Sequence, residues 1–221
     1  DRASVVAGTG TYSTEHSVHL TKHAHEIGVD AVLVVTPYYN KPPVRGIVAH
    51  FEAIAAASDR AIMVYNIPQF SGFDITPEVF ARLSEIDAVR YIKDSTSNML
   101  RIEQLAASGA SVFNGCDYLN LYGLMAGAVG CFWGGANAMP KEAVQLYELY
   151  HAGRHAEALT LWRRMQPLNR LLWTLPFNPV AKAAANLSGR SVGDCRRPVL
   201  PLTAEQTAAV RAAMAPLLKS E

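Results

Sequence analysis

The sequence predicts an α/β protein built on a parallel sheet, and three observations carry that expectation. Short apolar, β-branched runs recur through the first two-thirds of the chain, each followed by a stretch with helical spacing. The runs start roughly 20–30 residues apart, the period of a strand–helix unit. They are continuous rather than alternating, as expected of strands covered on both faces.

The first run, residues 4–8, precedes a helical pattern over 14–27 that Gly28 closes. Residues 31–35 (Ala-Val-Leu-Val-Val) lead into a helix over 44–57. Residues 61–65 lead into 76–85, where Thr76 is an N-cap and Pro77 takes the first helical position. Residues 89–93 are followed by 99–107, closed by Gly109, and residues 111–114 by 119–126. Residues 130–133 form the sixth run. From Pro140 onward no strand pattern remains. Residues 141–151, 154–172, 179–187 and 204–218 read as helices, with Gly153 breaking the first from the second and a Pro/Arg-rich linker over 196–201. Arg163, Arg164 and Arg170 fall on a solvated helix face.

Six strand–helix units fit a doubly wound sheet. A (β/α)8 barrel needs eight strands, and a barrel lacking its first two units would present this same pattern. The expected organisation is residues 1–139 as strand–helix units and residues 140–221 as a last barrel helix plus a C-terminal helical region.

Composition narrows the function classes. The chain has 221 residues, is half hydrophobic and carries a formal net charge of +1, so it presents no electrostatic footprint for nucleic acid or anionic membrane. No run approaches the roughly 18 apolar residues of a membrane span. The three cysteines, Cys116, Cys131 and Cys195, are far apart and odd in number, which argues against a disulfide framework and fits a reducing cytoplasm. There is no CxxC and no zinc spacing.

The unusual polar residues sit at the strand ends. The fourth strand ends in Lys93, followed by Asp94-Ser-Thr96. Burying an ammonium without a partner costs several kcal/mol, and the escape is loss of the proton, which leaves a nucleophilic amine. The competing reading is a lysine that ends an exposed strand and points into water. Tyr38 and Tyr39 end the second strand, Tyr65-Asn-Ile-Pro68 the third, Asn114-Gly-Cys-Asp117 the fifth and Gly134-Gly135 the sixth. In parallel α/β folds the carboxyl ends of the strands are where active sites form. His16, His19 and His23 share one helix face, read as solvated polar surface rather than a metal site. Trp133, Trp162 and Trp173 read as core and helix packing. Gly8-Thr-Gly10 lacks the third glycine of a dinucleotide fingerprint.

Taken together, Ala7-Gly-Thr-Gly10, Thr36-Pro-Tyr-Tyr39, Tyr65-Asn-Ile-Pro68, Ile92-Lys93, Asn114-Gly115 with Asp117, Asn178-Pro179 and Arg197-Pro198 resemble the dihydrodipicolinate synthase/N-acetylneuraminate lyase family of class I, Schiff-base (β/α)8 enzymes. The resemblance implies a barrel fold with a C-terminal helical extension, strands three to eight of the family lying in residues 1–139. It implies that Lys93 forms an imine with pyruvate or another 2-oxo acid, that Tyr65 shuttles the proton, and that Tyr39, or else Tyr38, is lent across a dimer interface. Asn66, Phe70, Ser95, Gly115, Asp117 and Gly134 would line the substrate pocket. No cofactor and no metal are implied, and a homodimer or homotetramer is expected.

Departures from the family bear on the second substrate. Two further strand–helix units precede the first one seen here in the family, so a longer natural protein is expected. Phe70 stands where dihydrodipicolinate synthases place a carboxylate-binding arginine. Tyr118 stands where sialic acid lyases carry an acid, and Gly134 replaces their serine. The expected activity is therefore a pyruvate-dependent class I aldolase or lyase with an aldehyde partner. Dihydrodipicolinate synthase, a 2-keto-3-deoxy sugar acid dehydratase and a non-catalytic 2-oxo acid binding protein are the alternatives.

Overall fold

The computed structural model describes residues 3–218. Six strands, β1 (Val6–Gly8), β2 (Ala31–Val35), β3 (Ala61–Asn66), β4 (Val89–Asp94), β5 (Ser111–Asn114) and β6 (Gly130–Cys131), form one sheet in the order β1-β2-β3-β4-β5-β6. Every neighbouring pair is parallel. A doubly wound sheet reverses its strand order at a switch point, whereas a barrel lays each strand beside the previous one. The unbroken order follows the barrel winding.

Helices α1 (Thr14–Glu26), α2 (Val44–Ala55), α3 (Pro68–Ser71), α4 (Pro77–Leu83) and α5 (Met99–Ala107) connect the first five strands. Their starts follow from side-chain caps: Ser13, Thr76 and Asn98 accept the backbone N–H groups of His16, Val79 and Arg101. Gly28 and Gly109 follow α1 and α5 with φ of 79° and 87°, a backbone that glycine adopts without a Cβ penalty. The expected helix at 119–126 opens with a tighter 3₁₀ turn, Asp117–Leu119, and continues as α6 (Asn120–Met125). The sixth strand stops at Cys131, and a 3₁₀ turn, Gly134–Asn137, follows.

The chain divides into two compact units. The first runs to Gly115 and takes in Met125–Cys131; the second holds Cys116–Leu124 and the chain from Phe132 onward. The boundary between these units falls at the ends of β5 and β6. In the first unit Val32, Val34, Ile62, Val64, Ile92 and Val112 from the strands pack with Ile47, Phe51, Ile54, Leu83, Ile102 and Leu105 from the helices, all essentially unexposed. Each such side chain contributes about 1.5–3 kcal/mol of burial. His16, His19 and His23 are exposed, as the solvated-face reading requires.

The second unit contains α7 (Pro140–His151), α8 (His155–Thr174), α9 (Phe177–Leu187) and α10 (Ala204–Leu218). Its core gathers Leu146, Trp162, Met165, Leu168, Val180 and Met214. Trp162 is fully buried there, whereas Trp173 is half exposed and lies 4.9 Å from the Tyr118 ring. Arg163 and Arg170 are exposed on α8. Among the described residues no helix is long and apolar enough to cross a membrane.

Candidate active site

The first unit builds its polar cluster from the carboxyl ends of β3, β4 and β5. Tyr65 and Lys93 are paired in register across the β3–β4 ladder, and so are Asn66 and Asp94. Strand side chains alternate faces, so Tyr65 and Lys93 share one face of the sheet while Asn66 and Asp94 share the other. On the first face the Lys93 Nζ sits 3.8 Å from the centroid of the Tyr65 ring, within cation–π range. Lys93 is half-buried, which rules out the reading of a strand-end lysine extended into water.

Gly115 makes room for this lysine. A Cβ at position 115 would overlap Ser95 Oγ and lie 2.9 Å from Lys93 Cε, so the third strand end must be glycine for close approach. The three ends are laced together. The Ser95 N–H donates to the Asn66 carbonyl at 2.8 Å, the Gly115 N–H to the Asp94 carbonyl at 2.8 Å, and the Ser95 hydroxyl to the Gly115 carbonyl at 3.2 Å.

On the opposite face Asn66 is fully buried and does not point to a substrate. Its Nδ2 donates to Asp94 Oδ2 at 2.9 Å, to Asp74 Oδ1 at 3.0 Å and to the Ile75 carbonyl at 3.3 Å, and its Oδ1 accepts the Ile75 N–H. One residue past Tyr65, strand alternation turns this side chain to the face opposite Lys93. Arg101 braces the same loop with two bonds to the Asp74 carboxylate and one to the Ile75 carbonyl. Burial pushes the Asp74 carboxyl up, but the bonds from Arg101 and Asn66 outweigh it and hold the group below the usual carboxylate range. Asp94 goes the other way. Its burial pushes the carboxyl up despite the bonds from Thr96 and Asn66.

α3 carries Phe70, which is 78% exposed, and Gln69, whose side-chain amide donates to the Ser95 carbonyl at 2.9 Å. Tyr39 is 90% exposed, with φ of 70° in the left-handed region, and Tyr38 packs edge-on against Tyr12. Neither tyrosine is drawn into the core of its own unit.

In the second unit the Gly135 N–H donates to Asp117 Oδ1 at 2.7 Å, which ties the turn after β6 to the turn after β5. Gly134 lies against the Phe177 ring, which a Cβ at that position would overlap. The Tyr118 carbonyl accepts from Gln166 Nε2 at 3.1 Å. Among the described residues no group of His, Cys, Asp or Glu could hold a metal ion.

Asp94, Asp74 and Arg101 escaped the sequence reading because the partners lie 27–28 residues apart. The signal that could have found Asp94 is its place directly after Lys93, matched to Asn66 directly after Tyr65. Phe177 carried no such signal beyond standing beside Asn178-Pro179.

Comparison with known proteins gives the same direction by sequence and by structure. Residues 1–216 match the model of the dihydrodipicolinate synthetase family. A 4-hydroxy-tetrahydrodipicolinate synthase of Heliobacterium modesticaldum is 39% identical over 96% of this chain and 71% of its own length. The enzyme of that name from Acidiphilium cryptum is 38% identical over 96% of this chain and 74% of its own. Among solved structures, the 4-hydroxy-tetrahydrodipicolinate synthase of Methylacidiphilum fumariolicum superposes with a TM-score of 0.92 at 36% identity, covering 99% of this chain and 74% of that one. The dihydrodipicolinate synthase of Thermotoga maritima gives 0.91 at 32% identity, covering 97% and 75%.

Proposed function

Because the chain belongs to the dihydrodipicolinate synthetase family, we propose that it is a pyruvate-dependent class I aldolase or lyase with Lys93 as the nucleophile. The observation that carries this reading is the Lys93 amine 3.8 Å over the Tyr65 ring at two strand ends held in register. The neutral amine adds to the keto carbon of pyruvate, and loss of water gives a protonated imine. The imine withdraws electrons from the adjacent carbon, which gives up a proton to become an enamine. The enamine carbon then bonds to an aldehyde carbonyl carbon, whose oxygen takes a proton; hydrolysis of the imine releases product and restores the amine. Cleavage is the same sequence reversed. Tyr65 carries the proton to and from these atoms.

Ser95 and Gly115, at the ends of β4 and β5, are assigned to the walls for the second substrate. Tyr39 is assigned to a neighbouring subunit's proton relay, which its exposure and left-handed backbone support and which requires a homodimer or larger homo-oligomer. The six strands are read as the third to eighth of an eight-stranded barrel.

Borohydride reduction in the presence of pyruvate, followed by peptide mapping, tests the reading. A reduced adduct on Lys93, absent in Lys93→Ala, is the expected result. An adduct on another lysine, or on none, overturns it.

Two readings of the aldehyde each have support. The relatives named 4-hydroxy-tetrahydrodipicolinate synthase favour aspartate semialdehyde. The exposed, uncharged Phe70 favours an aldehyde that needs no cationic clamp there. Formation of the cyclic product from aspartate semialdehyde separates them.

A further inference from the structure

The pairing of Tyr65 with Lys93 depends on a register that the backbone changes on the way. At the start of the ladder Ile62 faces Val89, but Met63 faces Tyr91, so Arg90 is an extra residue on β4. Carried on without that irregularity, Tyr65 would face Ile92, and Lys93 would stand opposite Asn66. A slip of one residue moves every side chain to the other face of the sheet. The catalytic pair is therefore one register step from being separated.

One cross-strand side-chain bond lies just beyond the pair, on the other face. Asn66 Nδ2 donates to Asp94 Oδ2 at 2.9 Å, with Asn66 unexposed and Asp94 1% exposed. Both ends are themselves held. Asn66 is tied to Asp74 and Ile75, and Asp94 Oδ1 accepts the Thr96 N–H at 3.1 Å and the Thr96 hydroxyl. In the shifted register Asn66 would meet Lys93 instead, and this bond could not form.

We propose that Asn66 and Asp94 are positioning residues for the reaction: their bond locks the one-residue offset of β4 against β3 and keeps the Tyr65 ring beneath the Lys93 amine. Neither side chain lies on the face of the reacting atoms, so both act through the pair. The proposal rests on the reading that Lys93 and Tyr65 carry the chemistry.

The test needs only pyruvate. Borohydride trapping counts the Lys93 sites that form an imine, and NMR follows exchange of the pyruvate methyl protons with deuterium, the step that Tyr65 serves. In Asn66→Ala and Asp94→Asn, imine formation persists, but exchange per trapped site falls roughly 30- to 100-fold, the scale of a misplacement near 1 Å. The half-saturating pyruvate concentration stays within roughly threefold, and the alkaline limb of the exchange profile moves. Thr96→Val removes one bond from Asp94 and leaves the cross-strand bond. It lowers the melting temperature with exchange per trapped site within roughly twofold. If Asn66→Ala and Asp94→Asn lose trapped sites and thermal stability while exchange per trapped site is unchanged, the pair is only structural and the proposal is overturned. Should both variants fail to fold, Asp94→Glu serves in their place: a drop in exchange per trapped site supports the proposal and no drop overturns it. No adduct on Lys93 in the unaltered chain would instead sink the underlying reading.

Discussion

Replacing Gly115 with alanine adds one methyl group at the most crowded point of the strand ends. The new Cβ would overlap Ser95 Oγ and stand 2.9 Å from Lys93 Cε and 3.2 Å from Lys93 Cγ. None of these atoms belongs to the backbone, so the neighbours can yield by rotating. Ser95 would give up its 3.2 Å bond to the Gly115 carbonyl, and Lys93 would swing off the Tyr65 ring. The lost hydrogen bond costs about 1 kcal/mol, and overpacking of this kind typically adds about 1–3 kcal/mol. For a chain of this size each 1 kcal/mol lowers the melting temperature by about 2–4 °C. The larger effect is expected on the chemistry, because the flexible group that must move is the amine proposed as the nucleophile. Borohydride trapping with pyruvate should slow by about 100-fold, as expected for a displacement near 1 Å, while a thermal melt shows a folded protein. Trapping at the unaltered rate, with the melting temperature reduced or not, would refute the argument that Gly115 exists to seat Lys93.

Four further outcomes follow from the same structure. His50 is 2% exposed, bonds Thr14 Oγ1 through Nδ1 at 2.9 Å, and is pulled down by burial to about 4 from 6.5. Its neutral form stabilises the fold fully above pH 6.5, and the contribution, about 3 kcal/mol, is lost as the pH falls from there toward 4; denaturant unfolding of His50→Gln should show a flatter acid limb. Arg101→Met removes both bonds to Asp74, half of whose side chain is near solvent, so about 1 kcal/mol of destabilisation is expected from a thermal melt. Because Asp74 sits below its usual range, its contribution is present at neutral pH and lost on acidification, and Arg101→Met should abolish that loss. Gly134→Ala forces the Phe177 ring aside and should change KM for the aldehyde several-fold while pyruvate still traps on Lys93; an unchanged aldehyde preference would remove Gly134 from the pocket wall. Phe70→Arg should raise activity toward an aldehyde bearing a carboxylate relative to an uncharged one, and no shift in that ratio would remove Phe70 from the specificity argument.

The strands were readable where burial on both faces writes an uninterrupted apolar run. Residues 31–35 and 111–114 match β2 and β5 residue for residue. The sixth run was read to Trp133, but the ladder stops at Cys131 because a turn follows at once at Gly134. α3 was missed because four residues are too few for helical spacing to register. Lys93 and Tyr65 were legible as polar residues at the ends of apolar strands. The motif Tyr-Asn-Ile-Pro does not show that Asn66 faces away from Tyr65; that follows from the strand, which presents successive side chains to opposite faces. The braces behind the site depend on contacts between residues distant in sequence, and only the fold makes those.

Phe177 opens α9, and the rest of that helix is fixed by Val180 and Ala184, both fully buried. The ring over Gly134 is thus mounted on a helix rather than carried by a loop. If Gly134 lines the pocket as proposed, a wall of that kind loses little freedom when a ligand arrives. Discrimination at this position should then arise from fit to a preformed shape: alternative aldehydes would differ in how tightly they are held and not in the rate of any closing movement.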